Sequence, residues 1–511
     1  MKKFILKFTS VVLILTLFLS PLSVAAAEPL GDSTQNCPYI FVHGFMAVDL
    51  YENLGTENQR VIWPPSKYDL TEAAKNSIIP IGEYFIDRDW DKLSDSIIPN
   101  FKSIFEKVFL DENGNPQENT GVDFVYPNEG DITATSKLDF KYDWRLDPIE
   151  IAGKLNDFID YVLEASGCSK VTIIAHSCGG VIVTTYARLY GTQKLQGVVL
   201  NSTAVLGETY TGELMSGNFN VNAEALKSYF EFVGFGSEYK NLIDTVLNTM
   251  MKRGLLVRLS RLFNTIFDNM LDEIAKELIM PMFGSWATIW AMTPDEYLPG
   301  ANSYIFGKIS QATGKDYSGL KAKIDNYNEA VRPYRLDTVN AMGENCKFGV
   351  FARYGFISVP LSSTWDELSD GIIDLKYASF GGTAAKYNNT LSPEYLNSVA
   401  PEYISPNKTV DASTCLFPEK TWFIRNMKHG KSLFNLENLV FEILYNEEEV
   451  TVSTFAEYPR FLVMDYTFNR IVADSVHKIS PLEALFPWAK RLFNTIAELF
   501  KFIKKIIFGI S

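Results

Sequence analysis

Histidine is scarce in this chain: His43, His176, His429 and His477 are the four present among 511 residues. Cysteine is almost as rare, at five, and no two cysteines fall in a Cys-x-x-Cys arrangement. So few over such a length exclude a disulfide framework, the odd count leaves at least one thiol unpaired, and the spacing gives a zinc site no support. Basic charge is in deficit, with 47 Lys and Arg against 61 Asp and Glu and a net charge of −14. Phosphate contacts need clustered cations, which argues against nucleic acid as a partner. Proline- and glycine-dense runs are few. With 47% hydrophobic residues the composition is globular, and the length exceeds one small domain. Asp111-Glu-Asn-Gly-Asn-Pro116 loosely follows a calcium loop, but Pro116 stands where such a loop needs glycine to turn, so the stretch reads as a surface turn. Neither a metal nor a cofactor is expected.

What is present begins with two segments that differ from the rest. Lys2, Lys3 and Lys7 precede an apolar run from Val11 to Leu19, and small residues follow up to Ala27. That order predicts a signal peptide over 1–27, cleaved after Ala27, and export. At the other end, Leu492, Ile496, Leu499, Ile503, Ile506 and Ile510 share a helical face, opposite Lys490, Arg491, Lys501, Lys504 and Lys505. Phe486 and Trp488 stand at its start. This reads as an interfacial helix at a membrane surface, with packing on its own domain as the alternative.

Between them, strand-like runs alternate with helices. Tyr39–Val42 leads into His43-Gly44, a second run spans Lys170–Ala175 and a third Gly197–Leu200. Asp147, Pro148 and Glu150 form the start of a helix with a capping box, continued by Ile151, Leu155, Phe158 and Val162. Val181 to Tyr190 reads as another helix, ended by Gly191. The alternation implies an α/β fold with a mainly parallel sheet. It lapses from 207 to 345, where Leu255 to Leu278 carries one long amphipathic helix. Strand-like runs return at Phe348–Phe351 and Thr421–Ile424. The expected organisation is a core over 28–206, a helical cap inserted at 207–345, a second core part at 346–430 and an extension over 431–511.

The stretch "TIIAHSCGGV", Thr172 to Val181, ends a buried strand on histidine, serine and cysteine and enters a helix at once. A nucleophile raised on such a turn needs small residues two before and two after it. Centred on Ser177 these are Ala175 and Gly179. Centred on Cys178 one of them is His176, which is too large. Ser177 is therefore the expected nucleophile, with the backbone N–H groups of Cys178 and of Phe45, after His43-Gly44, facing a developing oxyanion. His43 and His176 belong to these loops, so the general base is His429 or His477. A clear strand precedes His429, which is preferred. The acid is expected in the loop before that strand, where Asp411 is the nearest carboxylate; a turn or capping aspartate is the alternative.

Tyr142-Asp-Trp-Arg-Leu146, Ala175-His-Ser-Cys-Gly-Gly180 and Gly284-Ser-Trp-Ala-Thr-Ile-Trp-Ala-Met-Thr-Pro294 together resemble the lecithin:cholesterol acyltransferase family of α/β-hydrolases and its bacterial relatives. The resemblance spans residues 38 to 430 in islands. It implies an α/β-hydrolase fold and acyl transfer from a lipid ester or phospholipid to water or an alcohol through a seryl ester. Trp286 and Trp290 would then bind acyl chains or sit in the cap core. The sequence departs from the family at its usual Asp-x-Thr-Val, which here is Asn407-Lys-Thr-Val410. Hydrolysis is the expected outcome; a peptidase or amidase on the same fold, a true O-acyltransferase and an inactive lipid- or surface-binding protein are the rivals.

Overall fold

A computed structural model of the chain describes residues 35–235, 240–466 and 468–475. The segment read as a signal peptide, His477 and the helix read from Phe486 onward lie outside these residues. An eight-stranded sheet forms the frame. Its strands in chain order are β1 (Tyr39–Val42), β2 (Lys137–Phe140), β3 (Val171–His176), β4 (Leu195–Asn201), β5 (Lys347–Tyr354), β6 (Thr421–Arg425), β7 (Phe461–Asp465) and β8 (Arg470–Ala473). In space they run β2-β1-β3-β4-β5-β6-β7-β8. All neighbours pair parallel except β7 with β8.

Parallel strands must be covered on both faces, and β3 shows the consequence: all six of its residues are buried. Side chains alternate between two cores. Ile40, Val42, Ile173, Ala175, Val198 and Leu200 face the larger one. Tyr39, Phe41, Ile174 and Val199 face the other, closed by the helix Glu437–Tyr445. Over the larger core lie the helices Pro148–Ser166 and Gly179–Tyr190. Asp147 caps the first by accepting from Ile149 N at 3.0 Å, and Gly167, at φ 69°, ends it. Glu150 pairs with Lys154 at 2.9 Å. The helix start thus rests on the Asp147 cap and Pro148, without the expected reciprocal bond.

Between β4 and β5 the chain is helical. Leu255–Ile274 is the long amphipathic helix expected there, and it continues as a π-helical stretch, Ala275–Gly284. Pro281 inside that stretch has no N–H to give, which fits a widened ladder. The expected core boundary at 430 does not coincide with the sheet edge, because β7 and β8 extend the sheet past β6. β7 is five residues, Phe-Leu-Val-Met-Asp, too short and too uniformly apolar for periodicity to tell strand from helix. Among the described residues no helix is long and apolar enough to cross a membrane.

Candidate active site

β3 stops at His176, and the chain turns sharply through Ser177 at φ 57°, a left-handed conformation rare for a residue with a side chain. The backbone holds it there: Ser177 N donates to Asn201 O at 3.2 Å, and Ser177 O accepts from Ala204 N at 3.2 Å and Gly180 N at 3.1 Å. The small-residue requirement has a different origin from the one expected. A Cβ on Gly179 would collide with the carbonyl oxygen of Val42 and lie 2.7 Å from that of His43. The end of β1, rather than Ala175, demands glycine. Gly44 also passes close by: a Cβ there would lie 2.8 Å from Ser177 Cβ and 3.3 Å from its Oγ.

Cys178 is fully buried, and desolvation pushes its thiol up to about 12, far from a usable thiolate. That separates the two neighbouring side chains. Ser177 presents a hydroxyl that makes no hydrogen bond among the described residues, while the Cys178 thiol is packed away. Neither the Cys178 nor the Phe45 backbone N–H donates to a partner among the described residues.

Tyr142 and Trp144 hold the 43–48 turn, and Arg145 anchors their own segment. Tyr142 Oη donates to His43 O at 2.6 Å, and Trp144 Nε1 donates to Val48 O at 2.9 Å, so both ends of the 43–48 turn are tied. The Phe45 ring packs edge-on against Trp144, with centroids 4.9 Å apart. Arg145, fully buried, meets Asp143 through Nε at 2.9 Å and Nη2 at 2.6 Å, and reaches Val108 O at 3.1 Å. A buried guanidinium with a bidentate carboxylate and a carbonyl is paired and hydrogen-bonded, as burial of a charge requires.

His429 lies in the loop after β6. Its ring stands against that of His176, centroids 4.7 Å apart and 30° from parallel, which brings it to the residue next to Ser177. Its Nδ1 is 2.7 Å from Asp370 Oδ2, and its backbone N donates to Asp370 O at 3.0 Å. Asp370 is fully buried, and its other oxygen accepts from Ile372 N at 3.0 Å and Ile373 N at 2.9 Å. A carboxylate on Nδ1 places the ring proton there and leaves the Nε2 lone pair free. His176 is different: its Nδ1 bonds Asn201 O at 3.0 Å, and burial, then the neighbouring His429 and Arg353, drive its pKa well below the ordinary value. It stays neutral.

A family model described as the alpha/beta hydrolase fold matches residues 134–238, the stretch holding β2, β3, the elbow and β4. The fold is that of the α/β hydrolases. Among solved structures, the Tle4–Tli4 complex shares 14% identity over 36% of this chain and 48% of that one, with a TM-score of 0.21. The chain thus spans about half the length of that structure. An esterase, RhEst1 from Rhodococcus sp. ECU1013, shares 12% identity over 81% of this chain and 93% of that one, with a TM-score of 0.23. No curated protein matches the sequence.

In this α/β-hydrolase domain Ser177, Cys178, Phe45 and His429 meet at one corner, and Asp411 is placed elsewhere. Asp411 is fully buried, accepts from Ser413 N at 2.8 Å and Tyr395 Oη at 2.9 Å, and pairs with Thr383 across a short antiparallel ladder. It is a capping aspartate. The carboxylate that meets His429 is Asp370, in the same β5–β6 connection but nearer β5. Asn407 sits in a turn and accepts from Thr409 Oγ1 at 2.9 Å, so asparagine there removes nothing from the His429 contact. Trp286 and Trp290 are 0% and 1% exposed, and their indole N–H groups bond Val108 O and Gly284 O. They are part of the larger hydrophobic core, with Trp286 edge-on against Trp144, rather than an exposed acyl-binding surface. The cue to Asp370 was Ser369-Asp-Gly-Ile-Ile373, an Asp-Gly turn in which Gly371 takes φ 103°. Such turns are common, and only the fold separates this one from the others.

Proposed function

We propose that the protein is a serine-dependent carboxylic ester hydrolase whose substrates are lipid esters. The observation that carries this is the Asp370–His429 pair at 2.7 Å, set beside a serine at φ 57° on the turn between β3 and its helix. Ser177 Oγ attacks the ester carbonyl carbon as His429 Nε2 takes its proton. Asp370 stabilises the resulting imidazolium through Nδ1–H. The oxyanion accepts from the N–H groups of Phe45 and Cys178. Collapse expels the alcohol, which leaves with the proton held on Nε2. Water, deprotonated by the same imidazole, then attacks the seryl ester and releases the acid.

The lipid character of the substrate rests on the resemblance of Tyr142–Leu146 and Gly284–Pro294 to the lecithin:cholesterol acyltransferase family, together with the amphipathic helix in the chain segment that connects β4 to β5. Export through the 1–27 segment and contact with a membrane surface through the tail from Phe486 belong to the same proposal. A fluorophosphonate probe on the full chain tests the chemistry: wild type and Cys178→Ala label, and Ser177→Ala does not. Absence of labelling in wild type, or equal labelling of Ser177→Ala, removes the enzyme reading. Release from p-nitrophenyl esters of increasing chain length, with no release from matched anilides, supports an esterase over an amidase.

A further inference from the structure

Arg353, at the carboxyl end of β5, is a buried cation outside the catalytic groups named above, 1% exposed. Its Nη1 donates to three consecutive-loop carbonyls, Lys428 O at 3.1 Å, His429 O at 2.7 Å and Lys431 O at 2.8 Å. Nε and Nη2 both reach Asn201 Oδ1, at 3.2 and 2.9 Å. The main-chain oxygen of the same Asn201 takes the Ser177 N–H and the His176 ring. One guanidinium thus ties the loop carrying the base to the end of β4, whose Asn201 carbonyl in turn holds the Ser177 N–H.

Such burial has a cost. Desolvation lowers the Arg353 pKa to about 10, with the Asp370 carboxylate opposing that fall. A cation kept inside at this cost, when a neutral donor would satisfy a loop carbonyl, calls for a function. Lysine cannot replace it, since a single ammonium lacks the planar fork that spans four acceptors.

We infer that Arg353 is a positioning residue for ester hydrolysis: it fixes the His429 loop against the Asn201–Ser177 turn and supplies the positive charge that balances Asp370. This rests on the hydrolase reading above. The groups facing His429 are Asp370 from the β5–β6 connection, His176 from β3 and Arg353 from β5. Lys428 and Lys431 flank it on its own loop, and Tyr466 lies next to Arg353. Removing the buried cation leaves Asp370 as the uncompensated charge beside the imidazole. The acidic limb of the pH–rate profile then moves to higher pH.

The test compares wild type, Arg353→Met and Arg353→Lys by hydrolysis of a soluble p-nitrophenyl ester, with folding checked by circular dichroism. Arg353→Met is expected to lose about 10²-fold in kcat, the scale of a misplaced catalytic group, with KM changed less than about threefold and the acidic limb displaced upward. Arg353→Lys, which keeps the charge but not the fork, loses kcat while its acidic limb stays at the wild-type pH. Should Arg353→Met not fold, Arg353→Lys and Asn201→Ser, which removes the Oδ1 acceptor and keeps the main-chain carbonyl, decide the matter by the same kcat loss. Folded variants with kcat within threefold of wild type and an unmoved limb overturn the inference and leave the hydrolase reading standing. A wild type that neither labels nor turns over ester overturns the hydrolase reading itself.

Discussion

His429 Nδ1 stands 2.7 Å from Asp370 Oδ2, across 59 residues of chain that contain the whole β5–β6 connection beyond Asp370. Three carboxylates in that connection are fully buried, Asp370, Asp374 and Asp411, and they have different partners. Asp370→Asn keeps the shape but gives the imidazole an uncharged neighbour that favours the wrong tautomer. It should lower kcat by about 10³- to 10⁴-fold. Asp411→Ala should leave kcat per folded molecule within about threefold. Its cost, about 1–3 kcal/mol, should appear in denaturant titration, because Ser413 N and Tyr395 Oη lose their acceptor. Reversed behaviour of the two variants would return the acid's role to Asp411.

Tyr142 Oη donates to His43 O at 2.6 Å from beneath the oxyanion turn. Tyr142→Phe should destabilise the protein by about 1 kcal/mol. The Phe45 N–H strengthens its contact only as charge develops, so the loss of aim should lower kcat by roughly tenfold and spare KM. A variant whose KM rises at constant kcat would place Tyr142 in substrate binding instead.

Gly179 is the tightest point of the elbow. Gly179→Ala drives a methyl into the carbonyls of Val42 and His43, neither of which can move without shifting β1. A loss of about 3 kcal/mol or more is expected, with the folded fraction about 10²- to 10³-fold less active as the oxyanion donors shift. Gly130 has nothing within 4 Å of its added Cβ, and Gly130→Ala should fall within about 0.5 kcal/mol of the parent. Equal stability of the two variants would mean that the Gly179 contact is relieved at little cost.

Asp374 lies fully buried beside Thr209 N, which donates to its Oδ2 at 2.9 Å, and burial pushes its carboxyl up to about 6. Burial, then the nearby Asp374, raises Glu208 as well. Below about pH 4 the Asp374 carboxyl is protonated folded or unfolded and costs nothing. Between there and pH 6 the folded state holds more protons, so stability falls as pH rises. Above pH 6 the penalty is complete, on the order of 3 kcal/mol. Asp374→Asn keeps an acceptor for Thr209 N and removes the charge. Its Tm should match the parent's near pH 4 and exceed it at pH 8; a Tm below the parent's at pH 8 would show the ionised form to be the favoured one.

Local chemistry made the elbow legible. A buried strand, a serine flanked by small residues and a glycine-rich helix start are neighbours in the chain, and the strain at Ser177 and the glycine at 179 are requirements of a few consecutive atoms. Four histidines left little choice of base, because two were already placed in the loops by the same local reading. The parallel α/β frame was legible for a like reason: doubly buried strands and capped helices alternate within short windows. What the sequence alone could not decide was every choice among equivalent residues far apart. Asp370 and Asp411 are both turn aspartates followed by small residues, and only the path of the β5–β6 connection brings one of them under the imidazole. Trp286 and Trp290 read equally well as ligand-binding or as core until packing closed over them. Arg353 gave no signal at all, since its role lies in reaching four acceptors from two other segments, and those segments meet only when the sheet is assembled.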